Sequence, residues 1–307
     1  MEEVETVDLS IVIVSYNVKD YLIKCLDSIY KYISNSINFE IIVVDNNSKD
    51  TSPDIIEEKF NKTILIKNNY NAGFPAANNQ AFKIAKGNFI LMLNPDTELF
   101  DDSVNKLFLY IKSNTDISII GPKILNTDGS LQQSMWRFPT IKHIFAESFY
   151  LKNLIKDKYY KDINQIIDVN SLSGAVLMFR KELFNIIGML DENLFWIEDV
   201  DFCYRTRQSN HRVVYYPEAQ ILHHIGQSAK KNYNVSIYNQ IFNKINFFKK
   251  HNSTFQYFIV WVISFIHVFY KIILFFLIAL FKNIYYKKAK AYLFTFKFFL
   301  RIIYRFV

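Results

Sequence analysis

Short apolar runs at the start of the chain constrain its fold more than any other feature. Leu9–Ser15 and Phe39–Asp45 are rich in Ile and Val, and Ile64–Lys67 and Asn88–Leu93 repeat the pattern in shorter form. Continuous apolar runs of this length predict strands buried on both faces. Between them, Asp20–Ile33 carries Leu22, Cys25, Leu26, Ile29 and Ile33 at helical spacing. Thr51–Phe60 opens on Ser52-Pro53, and Pro75–Ala85 completes a third helix. Strands alternating with crossover helices predict an α/β fold, a mostly parallel central sheet flanked by helices on both faces. Ligands of such sheets bind beyond the carboxyl ends of the strands. Polar clusters fall at those ends: Ser15-Tyr16-Asn17, Asp45-Asn46-Asn47-Ser48 and Asn94-Pro95-Asp96. Their recurrence on one rim predicts a site.

Further along, residues 101–113 predict a helix, Ser118–Ile124 a strand, and Asn126-Thr127-Asp128-Gly129 a hairpin turn. Phe138–Val169 loses the pattern and reads as an irregular, partly helical insertion. Leu172–Phe179, Arg212–Tyr216 and Gln220–His224 predict strands; Lys181–Ile187, Glu198–Gln208 and Ser236–Lys250 predict helices. No internal repeat is present.

The net charge of +7 is unevenly distributed. Residues 255–307 hold eight of the 36 basic residues and no Asp or Glu, so the remainder is close to neutral against its 29 acids. That balance argues against a nucleic-acid-binding body and for a tail that meets an anionic surface. The same tail is crowded with Phe and Tyr, the composition of a segment at a membrane surface. Phe255–Phe281 is long enough to span a bilayer, but Ser264, His267 and Lys271 share one helical face that Lys282 extends. Ala289–Val307 spaces Lys290, Lys297, Arg301 and Arg305 as a basic amphipathic helix. An in-plane anchor is favoured over a single span or packing on the body. Met1-Glu2-Glu3-Val4-Glu5 is acidic and predicts no secretory signal. Cys25 and Cys203 lack zinc or redox spacing and fit reduced thiols of a cytosolic compartment.

Candidate site residues each have a bland alternative. Asp45, directly after a strand, can accept from a base N–H or a ribose hydroxyl, or simply cap a turn. Asp96 can hold a hard divalent cation that neutralises a diphosphate, or cap the helix near Asp101. Trp196-Ile197-Glu198-Asp199-Val200-Asp201 offers a general base beside an aromatic platform for a sugar ring, or three acids favouring a helix N-terminus. His223-His224 can supply an imidazole to the cation, or be structural.

Taken in order, the following motifs closely resemble family 2 glycosyltransferases of the GT-A fold, in particular the rhamnosyltransferase-like bacterial branch. They are Leu9–Asn17, Val43–Ser48, Asn71-Ala72-Gly73-Phe74 with Asn78, Leu93–Asp96, Gly174-Ala175, Glu198–Asp201, and His223 with Gly226 and Ser228. The resemblance covers residues 8–250. It implies an inverting hexosyltransferase-class enzyme of polysaccharide biosynthesis. A sugar would pass from a dTDP- or UDP-sugar, with rhamnose the first candidate, to a hydroxyl of a cell-surface glycan or polyprenyl-linked acceptor. It further implies that Ser15, Tyr16, Asn17, Asp45 and Asn47 line the nucleotide pocket, with Asp45 reading the pyrimidine. Asn71, Gly73 and Asn78 would shape the wall near ribose and diphosphate. Asn94 and Asp96 would meet the diphosphate, with Mg²⁺ or Mn²⁺ on Asp96 and His223. Asp199, with Glu198, would be catalytic, and Trp196 and Asp201 would bind the acceptor. One departure stands out: the first position of the DXD motif is Asn94, leaving a single carboxylate there.

The expected domains are a catalytic region, 1–250, and a membrane-associated helical region, 251–307, at the cytoplasmic face of the cell membrane. The irregular 138–169 stretch is expected to border the acceptor site. Two rival readings carry different requirements. A sugar nucleotidyltransferase needs a Gly-rich basic phosphate loop after the first strand, where this chain has Ser15-Tyr16-Asn17-Val18-Lys19. A catalytically inactive sugar-nucleotide-binding module would not need Asp96, Asp199 and His223 together.

Overall fold

The computed structural model describes residues 6–151, 163–224 and 233–303. The chain divides into two compact units, residues 1–138 with 159–228, and residues 139–158 with 229–307.

In the first unit the alternation appears as expected. It runs β1 (Leu9–Ser15), α1 (Lys19–Tyr32), β2 (Phe39–Asp45), α2 (Ser52–Lys59), β3 (Ile64–Lys67), α3 (Phe74–Ile84) and β4 (Phe89–Leu93). Next come β5 (Thr97–Glu98), α4 (Ser103–Ser113), β6 (Ile117–Leu125), β7 (Leu131–Gln132) and β8 (Met135–Trp136). After α5 (Ile141–Ser148), which belongs to the second unit, follow β9 (Ile167–Asp168), β10 (Ser171–Leu172), β11 (Val176–Arg180), α6 (Leu183–Ile187), α7 (Glu198–Gln208) and β12 (Arg212–His223).

The main sheet has the order β3-β2-β1-β4-β11-β6-β12-β5. It is parallel from β3 through β4, reversed at β11, and parallel again between β6 and β12. The two predicted strands Arg212–Tyr216 and Gln220–His224 are one strand, β12, whose register shifts between Tyr216 and Gln220. Pro217 lies in that interval and has no N–H for the ladder. The predicted strand Leu172–Phe179 is two, β10 and β11, parted at Ser173-Gly174-Ala175.

Strand alternation sorts side chains into two cores. Ile11, Ile13, Ile41, Val43, Leu91 and Leu93 pack with α1 and α4 through Leu22, Leu26, Ile29, Leu107 and Ile111. Val12, Val14, Ile42, Val44, Ile90 and Met92 pack with α3 and α7 through Ala77, Ala81, Phe82, Phe202 and Cys203. The sheet is therefore a middle layer buried on both sides, which explains why its strands read as unbroken apolar runs. Full burial of each such aliphatic side chain contributes roughly 1.5–3 kcal/mol.

The second unit is helical: α5, α8 (Tyr233–His251), α9 (Thr254–Ala279) and α10 (Ile284–Ile303). Ser253 caps α9 in a capping box with Gln256. On α9, Val260, Ser264, Val268, Lys271 and Phe275 are buried at heptad-like spacing. The polar stripe read from sequence thus faces protein. His267 Nδ1 lies 2.7 Å from the Ser148 carbonyl, and the Lys271 ammonium sits 3.8 Å from the Tyr150 ring centre. Lys282 lies beyond the end of α9 and is exposed. α10 buries Ala289, Ala291, Thr295 and Phe299 and exposes Lys290, Leu293, Lys297, Leu300 and Arg301. α9 is long and apolar enough to cross a membrane. The helical unit also takes in α8 and α5, and so begins, after the sheet, near residue 229.

Candidate active site

The site is built where strand ends meet. Ser15 is in register with Asp45, and Ile13 with Leu93, so the carboxyl ends of β2, β1 and β4 lie side by side. β11 runs opposite to β4, with Val176 facing Leu93, so its entry segment Gly174-Ala175 arrives at the same rim. The Asn94 N–H donates to the Ala175 carbonyl at 2.8 Å. Asp45 and the β11 entry are separated by three strand spacings, roughly 15 Å.

At one end of the rim, the loops after β1 and β2 are tied together. Asp45 Oδ2 accepts from the Ser48 N–H at 2.9 Å, Ser48 Oγ accepts from the Asn17 N–H at 2.9 Å, and Asn17 Oδ1 accepts from the Lys49 N–H at 2.7 Å. Asn17 and Asn47 have φ of 54° and 66°, the left-handed region that asparagine tolerates. Asp45 is buried, yet its Oδ1 has no partner among the described residues, and neither does the buried Ser15 hydroxyl. Leaving such groups unpaired costs about 1–3 kcal/mol each. Tyr16 beside them is exposed.

The next wall is the approach to α3. Asn71 Oδ1 accepts from the Gly73 N–H at 2.9 Å, and Gly73 has φ 86°, which a side chain would strain. Asn46, unassigned in the sequence reading, supports this segment. Its Oδ1 accepts from Asn68 Nδ2 at 2.9 Å and the Ala72 N–H at 3.4 Å, and its Nδ2 donates to the Gly73 carbonyl at 3.4 Å. Asn78 is buried; its Nδ2 donates to the Phe74 carbonyl at 2.9 Å, and its Oδ1 is unpartnered among the described residues.

Beyond β4, Asp96 and His223 come together. His223 pairs with Thr97 in the β12–β5 ladder, and the His224 N–H donates to the Asp96 carbonyl at 2.8 Å. His223 Nε2 lies 3.2 Å from Asp96 Oδ1 and 3.4 Å from Asn94 Nδ2. Both side chains are largely buried. A carboxylate oxygen and an imidazole nitrogen this close suit a divalent cation whose cis ligands, at about 2.1 Å each, lie about 3 Å apart. Among the described residues no group of three His, Cys, Asp or Glu side chains is gathered, so a cation here would need oxygens from a ligand. The residues present fit such an ion. Gly226 and Ser228 lie outside the described residues.

At the other end, α7 begins at the acids. Asp199 Oδ2 accepts from the Gly174 N–H at 2.7 Å and Oδ1 from the Val200 N–H at 2.7 Å. Glu198 is buried and its Oε2 is unpartnered among the described residues. Burial raises both carboxyls above their usual range; the adjacent Asp199 charge adds to the rise of Glu198, whereas the N–H donors pull Asp199 back down. Trp196, exposed beside Phe195, holds φ 80°, a strained backbone for an aromatic residue.

Asp201 is a correction to the sequence reading. It is fully buried, out of reach of a ligand at the surface, with Oδ2 accepting from Arg205 Nε at 2.8 Å. Arg205 also donates to the Ile187, Gly188 and Met189 carbonyls. Two neighbours at i and i+4 on α7 thus fasten that helix to the turn after α6.

Apart from Asp201, the expected residues lie along the rim formed by β2, β1, β4 and the entry to β11, or on segments hydrogen-bonded to it. A recess of about 580 Å³ lies at the opposite end of the sheet beside Asn88 and Arg180. The rim combines unmet acceptors, a cation-compatible pair and a carboxylate oriented by two N–H groups. Such a set can bind a phosphorylated, hydrogen-bonding ligand and remove a proton.

The chain matches glycosyl transferase family 2 over residues 10–187. It is 29% identical over 214 residues to the low-salt glycan biosynthesis hexosyltransferase Agl10 of Haloferax volcanii, covering 66% of this chain and 62% of that relative's length. It is 25% identical over 241 residues to the N-acetylglucosaminyl-diphospho-decaprenol L-rhamnosyltransferase of Mycobacterium tuberculosis, covering 72% and 77% of the two chains. Among solved structures, GalNAc-T7 with UDP, GalNAc and Mn²⁺ aligns with TM-score 0.56 at 18% identity, over 73% of this chain and 44% of that one. TarS of S. aureus in complex with UDP aligns with TM-score 0.53 at 18% identity, over 85% and 70%. At this identity the structures speak for the shared GT-A fold.

Proposed function

This chain belongs to glycosyl transferase family 2, and on that premise we propose that it transfers a sugar from a nucleoside-diphosphate donor to an acceptor hydroxyl, with inversion. Asp45 Oδ1 and Ser15 Oγ, the unmet groups at the β1 and β2 ends, receive the pyrimidine and ribose of a dTDP- or UDP-sugar, flanked by Tyr16, Asn17 and Asn47. Asn71, Gly73 and Asn78 border the ribose and diphosphate. Asp96 and His223, beside Asn94, hold Mg²⁺ or Mn²⁺. That ion, when bound, supplies positive charge against the leaving diphosphate.

Asp199 takes the acceptor proton as the hydroxyl attacks the anomeric carbon. The Gly174 and Val200 N–H groups aim its carboxylate, and the opposing effects of burial and donation keep its affinity for a proton useful near neutrality. Glu198 stays protonated behind it, which spares the site a second buried charge. One displacement suffices and no covalent sugar–enzyme bond forms. Trp196 offers an aromatic face to the acceptor ring. The observation that carries this reading is Asp199, clamped by Gly174, on the same rim as Asp45 and the Asp96–His223 pair.

The acceptor is a cell-surface or polyprenyl-linked glycan, taken up at the cytoplasmic face of a membrane. The exposed residues of the two helices support this placement: α9 exposes Phe269, Ile273 and Leu277, and α10 exposes Leu293 and Leu300 together with Lys290, Lys297 and Arg301. Rhamnose is the first sugar to try, because one relative is a rhamnosyltransferase.

Asp199→Asn is the deciding experiment. Transfer from a panel of dTDP- and UDP-sugars to polyprenyl-linked glycans is expected to disappear, while binding of dTDP or UDP by calorimetry stays near the parent value. Undiminished turnover in that variant would remove the base and the reading with it.

A further inference from the structure

Gln132 has no role in the function proposed above, yet its side chain makes three hydrogen bonds of mutually dependent direction. It sits on β7, where pairing with Ile124 fixes its backbone against β6, and β6 is paired in turn with β12, Leu125 opposite Leu222. Gln132 Nε2 donates to Asn126 Oδ1 at 3.0 Å and to the His223 carbonyl at 3.2 Å. The Asn126 amide is itself oriented: Ser130 Oγ donates its one hydrogen to Asp128 Oδ1 at 2.6 Å, so it can only accept from Asn126 Nδ2, at 2.9 Å. A backbone carbonyl can only accept. The Gln132 amide therefore has one orientation, and its Oε1 is the atom that faces His223 Nδ1 at 2.7 Å. An amide oxygen is an acceptor only, so Nδ1 must carry a hydrogen.

We infer that Gln132 is a positioning residue: through the Nδ1–H···Oε1 bond it holds the neutral form of the His223 ring in the Nδ1–H tautomer, which points the Nε2 lone pair at Asp96. On the other side of the ring, Asn94 Nδ2, a donor, lies 3.4 Å from Nε2 and matches a lone pair there; Asp96 Oδ1, an acceptor, lies 3.2 Å away and faces that lone pair as the second ligand of a cation would. An Nε2–H tautomer would find an acceptor in Asp96 at 3.2 Å, but it would set two donors against each other at Asn94 and leave Nδ1 without a hydrogen for the shorter, 2.7 Å contact with Gln132. Flipping the ring would place carbon atoms against both Gln132 and Asp96. With the tautomer fixed, a lone pair and a carboxylate oxygen converge on one point, the arrangement a divalent cation takes up. Partners of the non-ligating imidazole nitrogen commonly control metal affinity by 10–100-fold. This consequence rests on the proposed diphosphate site; the tautomer itself does not.

The test uses the full chain labelled with ¹⁵N-histidine, in alkaline, cation-free buffer. Long-range ¹H–¹⁵N spectra separate the two tautomers, and a His223→Gln sample identifies the His223 signals among the six histidines. The parent protein is expected to show the Nδ1–H pattern at His223. Gln132→Leu removes the acceptor and is expected to shift the signals toward the Nε2–H pattern. Gln132→Glu keeps an acceptor for Nδ1 and is expected to restore them. In parallel, Mn²⁺ binding followed by electron paramagnetic resonance is expected to weaken about 10- to 100-fold in Gln132→Leu and to recover in Gln132→Glu. An Nε2–H pattern in the parent protein overturns the inference, as does an unchanged tautomer in Gln132→Leu; the parent spectrum decides alone if that variant does not fold. Absence of Mn²⁺ binding by the parent, with the tautomer as stated, counts against the cation site and leaves the role of Gln132 standing.

Discussion

Gly174→Ala probes the proposed base without touching it. A Cβ at this position would lie 3.2 Å from Asp199 Cβ, 3.3 Å from Met92 Cε and 3.4 Å from Asp199 Oδ2. Met92 can swing its terminal methyl aside. Asp199 Cβ is one bond from the backbone at the start of α7 and has little room to retreat. The strain therefore falls on the carboxylate and on the 2.7 Å bond it accepts from the Gly174 N–H. A hydrogen bond to a charged group contributes about 1.5–3 kcal/mol. Its loss corresponds to a 10- to 100-fold fall in kcat if the carboxylate must be aimed at the acceptor hydroxyl. The N–H favours the ionised form, so weakening it lets burial raise Asp199 further. A base works only when deprotonated, so the acid limb of the kcat profile moves to higher pH. Initial rates of nucleoside-diphosphate release with acceptor present, measured across pH, give both quantities. Calorimetry with dTDP or UDP checks that the nucleotide site is intact. An unmoved acid limb together with unchanged kcat would refute the coupling of Gly174 to the chemistry.

Other outcomes follow from single contacts. Asp201→Ala leaves Arg205 without its carboxylate and is expected to cost about 3–5 kcal/mol, lowering the melting temperature by on the order of 10 °C, with dTDP or UDP affinity retained; a loss of acceptor affinity at unchanged stability would return Asp201 to the acceptor site. Gly87→Ala would put a Cβ 2.5 Å from the Ser10 backbone nitrogen and 2.8 Å from the Leu9 carbonyl carbon. Neither can move within the central strand, so denaturant titration is expected to show a loss of about 3 kcal/mol. Glu198 has a folded-state pKa above its unfolded value, so its contribution favours the fold at low pH and is lost as pH rises through that interval. Glu198→Gln is therefore expected to raise the melting temperature more at pH 8 than at pH 5, and an equal effect at both would contradict the burial of an ionisable group there.

The parallel half of the fold was legible because burial on both faces leaves a plain mark: β1 and β2 each carry an unbroken run of four Ile and Val residues. The rim was legible for a related reason, since the polar residues that interrupt those runs, Ser15, Asp45 and Asn94, stand where the chain leaves the sheet. The two-residue strands β5, β7, β8, β9 and β10 carry no periodicity, because two residues cannot show one. Gln132 was invisible for that reason. Asp201 was misread although Arg205 stands four residues on, a spacing that does announce a helical ion pair. The polar stripe of α9 was found by spacing, but its cover comes from Ser148 and Tyr150, more than a hundred residues earlier, and no local pattern encodes that partnership.

The helical unit is assembled from two separated stretches of chain, with α5 borrowed from between β8 and β9. Cutting the chain after residue 228 to obtain a freely soluble enzyme would thus leave α5, with its buried Ile144 and Ala146, without α9, the helix it packs against. The shortened product would trade one sticky surface for another. A workable truncation has to excise residues 139–158 in the same step, bridging the gap with a flexible loop.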